Sequence, residues 1–80
     1  MFSVYVLESE TDKRLYIGVT KDIKARVNYH NAGRVRSTKG HRPFRLLGHK
    51  EFDTFGKARE AEVNLKRLKN PTRVCAWILA

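Results

Sequence analysis

The chain predicts an α+β domain: a small antiparallel three-stranded sheet flanked by helices, in the order β-β-α-β-α with a C-terminal helix added. Three observations carry this prediction. Two short runs rich in Val, Tyr and Ile are separated by a polar turn. Two segments place apolar residues at helical spacing, each behind a residue able to cap a helix. A third strand-like run follows Pro43 and lies between those helices.

Residues 2–8 alternate weakly and are rich in Val, Tyr and Phe, as a strand is. Glu8 to Asp12 is turn material, and Arg14 to Thr20 is strand-like again, so the two runs form an antiparallel hairpin. Side chains on one face of such a pair meet across the ladder, which lets Tyr5 and Tyr16 share a face. Gly18 removes a side chain just beyond Tyr16, suiting a bulge, a close approach or a plain turn. Asp22 is a good N-cap, Ile23 and Val27 form an apolar i, i+4 pair, and Gly33 is a C-terminal stop. A helix over about 23 to 31 follows, with Arg26 and His30 projecting from one side of it.

Residues 34 to 42 form a basic loop containing Ser37, Thr38 and Gly40, and Phe44 to Phe52 forms the third strand. Thr54 caps a second helix in which Ala58, Ala61, Leu65 and Leu68 recur at helical spacing and face the sheet. Glu62 and Lys66 sit i, i+4 beside that stripe. Asn70-Pro71 breaks the pattern, and Thr72 to Ala80, carrying Trp77, completes the core as a short helix, with a further strand as the alternative.

Eighty residues suit one domain over 1–80, near the lower limit for an adequate core and without room for a separate targeting domain. The single Cys75 has no internal partner and reads as a buried small hydrophobe. No apolar run approaches the ~18–20 residues of a membrane span, and the N-terminus lacks a leader pattern, so a reduced, cytoplasmic setting is expected. Seventeen Lys and Arg against eight Asp and Glu give a net charge of +9. No acidic residue falls between Asp22 and Glu51, where Lys24, Arg26, Arg34, Arg36, Lys39, Arg42, Arg45 and Lys50 all lie. A basic stretch without a large-anchored amphipathic helix points to nucleic-acid phosphates rather than to a membrane.

Hydrolysis of a phosphodiester needs an activated water, stabilised charge on the phosphate oxygens and help for the leaving oxygen. One carboxylate with one divalent cation, an arginine and a tyrosine hydroxyl are residue types that meet those needs. Singly, each has a duller role open to it. Arg26 can pair with Asp22 one turn back, and Glu62 with Arg59 or Lys66. Tyr5 and Tyr16 can be half-buried strand residues, and His30 a cap or packing group.

Together they resemble the GIY-YIG nuclease domain, and most of all its small stand-alone members, over roughly residues 2 to 69. Val4-Tyr5-Val6 stands at the first motif and Tyr16-Ile17-Gly18 at the second. Arg26 then falls at the family's arginine, His30 and Asn31 at the helix positions after it, and Glu62 at the metal-binding glutamate. The resemblance implies one-metal hydrolysis by direct attack of water. Glu62 would hold one Mg²⁺ or Mn²⁺, Arg26 would steady the phosphate, and Tyr5 and Tyr16 would position and activate the water, either of them as the base. His30 completes the candidate catalytic set. Lys21, Arg34, Arg36, Lys39, His41, Arg42 and Lys66 are candidate nucleic-acid contacts, and Tyr29 and Phe44 candidate stacking platforms. The chain departs from the family in three respects. Val4 and Val6 replace the Gly and Ile of the first triplet. Val19 stands where some relatives carry a lysine, a role left empty or passed to Lys21. Asn70 is not at the usual distance for the family's asparagine and is not assigned. The expected substrate is DNA, single-stranded or branched rather than a defined duplex site, with RNA open. The expected activity is an endonuclease; the alternative is a binding module that works through a protein partner or a second copy.

Overall fold

The computed structural model describes residues 1–80. Strands β1 (Phe2–Ser9) and β2 (Leu15–Thr20) form the expected hairpin, with Tyr5 opposite Gly18 and Leu7 opposite Tyr16. Strand β3 (Phe44–Phe52) pairs antiparallel with the other side of β1, giving the sheet order β2-β1-β3. Val6 faces Gly48 while Leu7 faces Leu46, so Leu47 is an extra residue in β3, a bulge beside the centre of the sheet. Helices α1 (Ile23–Asn31), α2 (Phe55–Leu68) and α3 (Pro71–Leu79) flank the sheet, and a 3-10 turn (Lys39–His41) interrupts the basic loop.

Being central, β1 is buried on both faces, which is why its alternation looked weak in the sequence. Val4 and Val6 pack on one face with Ala58, Leu65, Val74 and Ile78 from α2 and α3. Tyr5 and Leu7 pack on the other with Phe44, against Tyr16, Ile23 and Val27. The two helix layers therefore approach the sheet from opposite sides, and β2 is left as an edge.

Local chemistry sets the helix ends. The Asp22 side chain accepts from the Ala25 amide at 3.0 Å, and Gly33 takes a left-handed φ of 76° just past the end of α1. Thr54 accepts from the Lys57 amide at 3.2 Å and starts α2. The open choice for residues 72–80 resolves as helix. Asn70 accepts from the amides of Thr72 and Arg73 at 3.0 and 3.2 Å, and Pro71 occupies the first turn, where its missing N–H is harmless.

Three expectations are corrected. Leu68 is exposed at the end of α2 and does not face the sheet. Cys75 is only half-buried, since α3 turns its Val74 and Ile78 side inward. Phe44 is buried against Tyr5 and Leu7, so it is a core residue and no stacking platform.

Candidate active site

A groove of about 930 Å³ runs beside β2. Tyr5 from β1, Tyr16 from β2, Arg26 and His30 from α1, and Glu62 from α2 all line it. An edge strand explains the convergence: α1 and α2 lie on opposite sheet faces, and only around an edge can side chains from both reach one space.

Tyr5 lies across Gly18. A Cβ at residue 18 would stand 2.6 Å from Tyr5 Cζ and 2.9 Å from Cε2, so the glycine is required for the phenol to rest against the β2 backbone. Tyr16, on the same face, packs edge-on against Phe44 with ring centroids 5.1 Å apart, and its hydroxyl makes no hydrogen bond within the protein. Arg26 does not pair with Asp22. Its Nε donates to Tyr5 Oη at 3.3 Å, and its guanidinium carbon sits 5.2 Å from the Tyr29 ring centroid. Tyr29 itself is exposed.

His30 is buried, with Nε2 3.2 Å from Tyr5 Oη and Nδ1 3.0 Å from Thr38 Oγ1. The hydrogen directions follow by elimination. Arg26 can only donate, so Tyr5 Oη accepts from it and points its own proton at His30 Nε2. Thr38 Oγ1 donates to Val35 O at 3.3 Å and must therefore accept from His30 Nδ1–H. Burial first, and the Arg26 charge second, hold the imidazole below its ordinary value of 6.5. The neutral ring with its proton on Nδ1 is the form both bonds require. Thr38 has no marker in the sequence; only the packing of the basic loop over α1 reveals it.

The side chain of Glu62 is 9% exposed, while those of Arg59 and Lys66, which grip it, are each 54% exposed. Arg59 Nη1 holds Oε1, and Lys66 Nζ lies 3.4 Å from Oε2. No group of three His, Cys, Asp or Glu side chains able to hold a metal exists in the protein. A lone carboxylate in a groove suits Mg²⁺ or Mn²⁺, which bind through one or two carboxylates plus water and phosphate, and does not suit a closed zinc site. Both flanking cations are half-exposed and can be solvated on giving up the oxygens, so the carboxylate is a donor of the type one such ion takes.

Of the expected nucleic-acid contacts, Lys66 lines the groove. Lys21, Arg34, Arg36, Lys39, His41 and Arg42 do not. Lys21 Nζ lies 5.0 Å from the Phe2 ring centroid, Arg42 lies against Gly33, and His41 is paired with Asp12. Arg34, Arg36 and Lys39 project from the loop into solvent. Lys13, Arg14, Lys69 and Asn70, which the sequence reading did not place at the site, line the groove instead.

The fold and the groove together define the class, a small α+β domain with a candidate active site at the edge of its sheet. The GIY-YIG catalytic domain profile matches residues 1–74, and the chain belongs to the GIY-YIG family. It is 37% identical over 80 residues to the UPF0213 protein of Cupriavidus necator, covering 96% of this chain and 86% of that protein. UPF0213 proteins of Streptococcus pyogenes are 40% identical over 76 residues, covering 94% of this chain and 82% of theirs. The solution NMR structure of the UPF0213 protein from Bacillus halodurans superposes with a TM-score of 0.56 at 32% identity, over 91% of this chain and 79% of that one. No helix is long and apolar enough to cross a membrane.

Proposed function

We propose that this protein is a metal-dependent endonuclease that hydrolyses phosphodiester bonds in DNA, favouring single-stranded or branched structure over sequence. One observation carries the reading: Tyr5, Tyr16, Arg26, His30 and Glu62, from four separate elements, line a single groove. Arg26 binds the attacked phosphate through its planar, permanently charged fork. Tyr16, whose hydroxyl is free, orients the attacking water. That water passes its proton to Tyr5 Oη as the phenol hands its own proton to His30 Nε2, which is neutral and already aligned at 3.2 Å. Thr38 keeps the imidazole in the tautomer that can receive it. Glu62 would hold one Mg²⁺ or Mn²⁺, which when bound supplies Lewis-acid stabilisation at the phosphate and leaving oxygen. With extents of 30 × 25 × 19 Å the domain is scarcely wider than a duplex and offers little surface for a long direct base readout, which favours structure over sequence as the thing recognised.

A second reading has its own observation. Both Glu62 oxygens are engaged by Arg59 and Lys66, as in a binding module whose catalysis depends on a partner. One assay separates the two. Labelled single-stranded, duplex and branched DNA, and RNA, are incubated with the protein in Mg²⁺, Mn²⁺ or chelator, beside folded Glu62→Ala and Arg26→Ala. The nuclease reading expects cleavage that requires metal and falls at least ~100-fold in each variant. Salt-sensitive binding with no product supports the binding module, and cleavage in chelator or undiminished in Glu62→Ala rejects the metal role.

A further inference from the structure

Two residues other than glycine hold a left-handed backbone: Lys13 (φ 65°), in the turn between β1 and β2, and Lys69 (φ 51°), which ends α2. Both line the groove that contains Tyr5, Arg26 and Glu62. At such a φ a Cβ crowds its own carbonyl, and glycine escapes that penalty. Hairpin loops and helix C-termini are also the places where glycine or asparagine ordinarily supplies the left-handed residue. Lysine stands at both. Strain retained twice on one groove points to a side chain that is wanted there.

The ion pairs show what those side chains have to offer. Among the groove's other cations, Arg14 is paired with Asp12, Lys66 with Glu62, and Arg26 is bonded to Tyr5. Lys13 and Lys69 have no carboxylate partner and are exposed. They are the groove's two unspent charges, contributed by the hairpin turn and the α2–α3 junction. A lysine ammonium is a compact point charge that binds phosphate without needing a set orientation.

We infer that Lys13 and Lys69 form a phosphate-binding subsite that grips the backbone of a nucleic-acid strand in the groove, beside the phosphate under attack. The inference rests on the nucleic-acid reading above, and its test needs no cleavage. Binding of labelled single-stranded and branched DNA is followed by fluorescence anisotropy in chelator across a salt series, with thermal melts alongside. Lys13→Gly and Lys69→Gly are each expected to flatten the plot of log K against log salt by about 0.7–0.9, and the double variant by about twice that. Lys13→Arg and Lys69→Arg retain the wild-type slope, as does Arg67→Ala, an exposed charge on α2 outside the groove. The glycine variants melt at or above the wild-type temperature, because the left-handed strain is gone. A double glycine variant with the wild-type slope, or a loss equalled by Arg67→Ala, overturns the subsite while leaving the nucleic-acid reading intact. Glycine variants that melt below wild type overturn it too, since the lysines would then be serving the fold. A wild-type protein that binds no DNA at all removes the nucleic-acid reading itself.

Discussion

Gly18→Ala tests the architecture of the groove at one atom. The added Cβ would lie 2.6 Å from Tyr5 Cζ and 2.9 Å from Cε2, against the 3.4 Å or more of ordinary contact. Tyr5 would have to move its ring tip by about 1 Å, and it has nowhere easy to go. It sits on the central strand, with its ring edge-on to His30 at 6.1 Å, and His30 in turn lies 5.8 Å from Phe44. Overpacking of this kind costs about 1–3 kcal/mol. In a domain of this size each kcal/mol lowers Tm by about 4–8 °C. The same shift carries Tyr5 Oη off His30 Nε2 and Arg26 Nε, now at 3.2 and 3.3 Å. A misplacement near 1 Å in a reacting group costs about 100-fold in rate. The measurement is a double-mutant cycle: urea melts and single-turnover cleavage for wild type, Gly18→Ala, Tyr5→Leu and the double variant. Leucine lacks the atoms that meet the new Cβ, so Gly18→Ala should be nearly neutral for stability in that background, a coupling of about 1–3 kcal/mol. Equal costs in both backgrounds, or a Gly18→Ala protein with wild-type stability and rate, would refute the account of why residue 18 is glycine.

Glu62→Gln should abolish cleavage, by at least ~100-fold, yet change urea stability by under about 1 kcal/mol, because its partners are half-exposed cations. Arg59→Ala, which frees one carboxylate oxygen, should lower the Mg²⁺ concentration for half-maximal activity; an increase would mean that Arg59 assists rather than competes. Thr38→Val removes the acceptor of His30 Nδ1–H, so ¹⁵N NMR should show the ring proton moved to Nε2 and cleavage reduced, while Thr38→Ser keeps both; an unmoved tautomer would exclude the role given to Thr38. His30 also makes stability depend on pH in a defined direction. Its folded-state value lies below 6.5, so between the two values the unfolded chain binds the extra proton more readily. Its contribution is complete above about pH 6.5, declines as pH drops through the window beneath, and levels off below the folded value. Urea melts of His30→Asn against wild type should show that part of the slope vanish, and a slope shared by both proteins would assign it elsewhere.

The sequence alone determined the elements, because what defines them acts over a few residues. Asp22 and Thr54 cap the helices that follow them, Gly33 ends the first, and the Val-, Tyr- and Ile-rich runs on either side of the Glu8–Asp12 turn mark the hairpin. The one ambiguous stretch, residues 72–80, was ambiguous because a six-residue apolar run suits either state; Asn70-Pro71, legible as a break, was equally a helix start. Tyr5, Tyr16, Arg26, His30 and Glu62 were legible as an ordered set, but nothing local says that they meet.

Tertiary structure decided the rest. Of the basic loop it is Val35, Ser37 and Thr38 that line the groove, with Thr38 on His30, while His41 pairs with Asp12 and Arg34, Arg36 and Lys39 are exposed beside it. The groove's own free charges, Lys13 and Lys69, come from a turn and a helix end that no spacing rule connects. Their meeting depends on the strand order β2-β1-β3 and on which helix covers which face of β1. Caps and turns are settled between near neighbours in the chain, whereas strand order and helix placement are settled by burying apolar faces contributed from all along it.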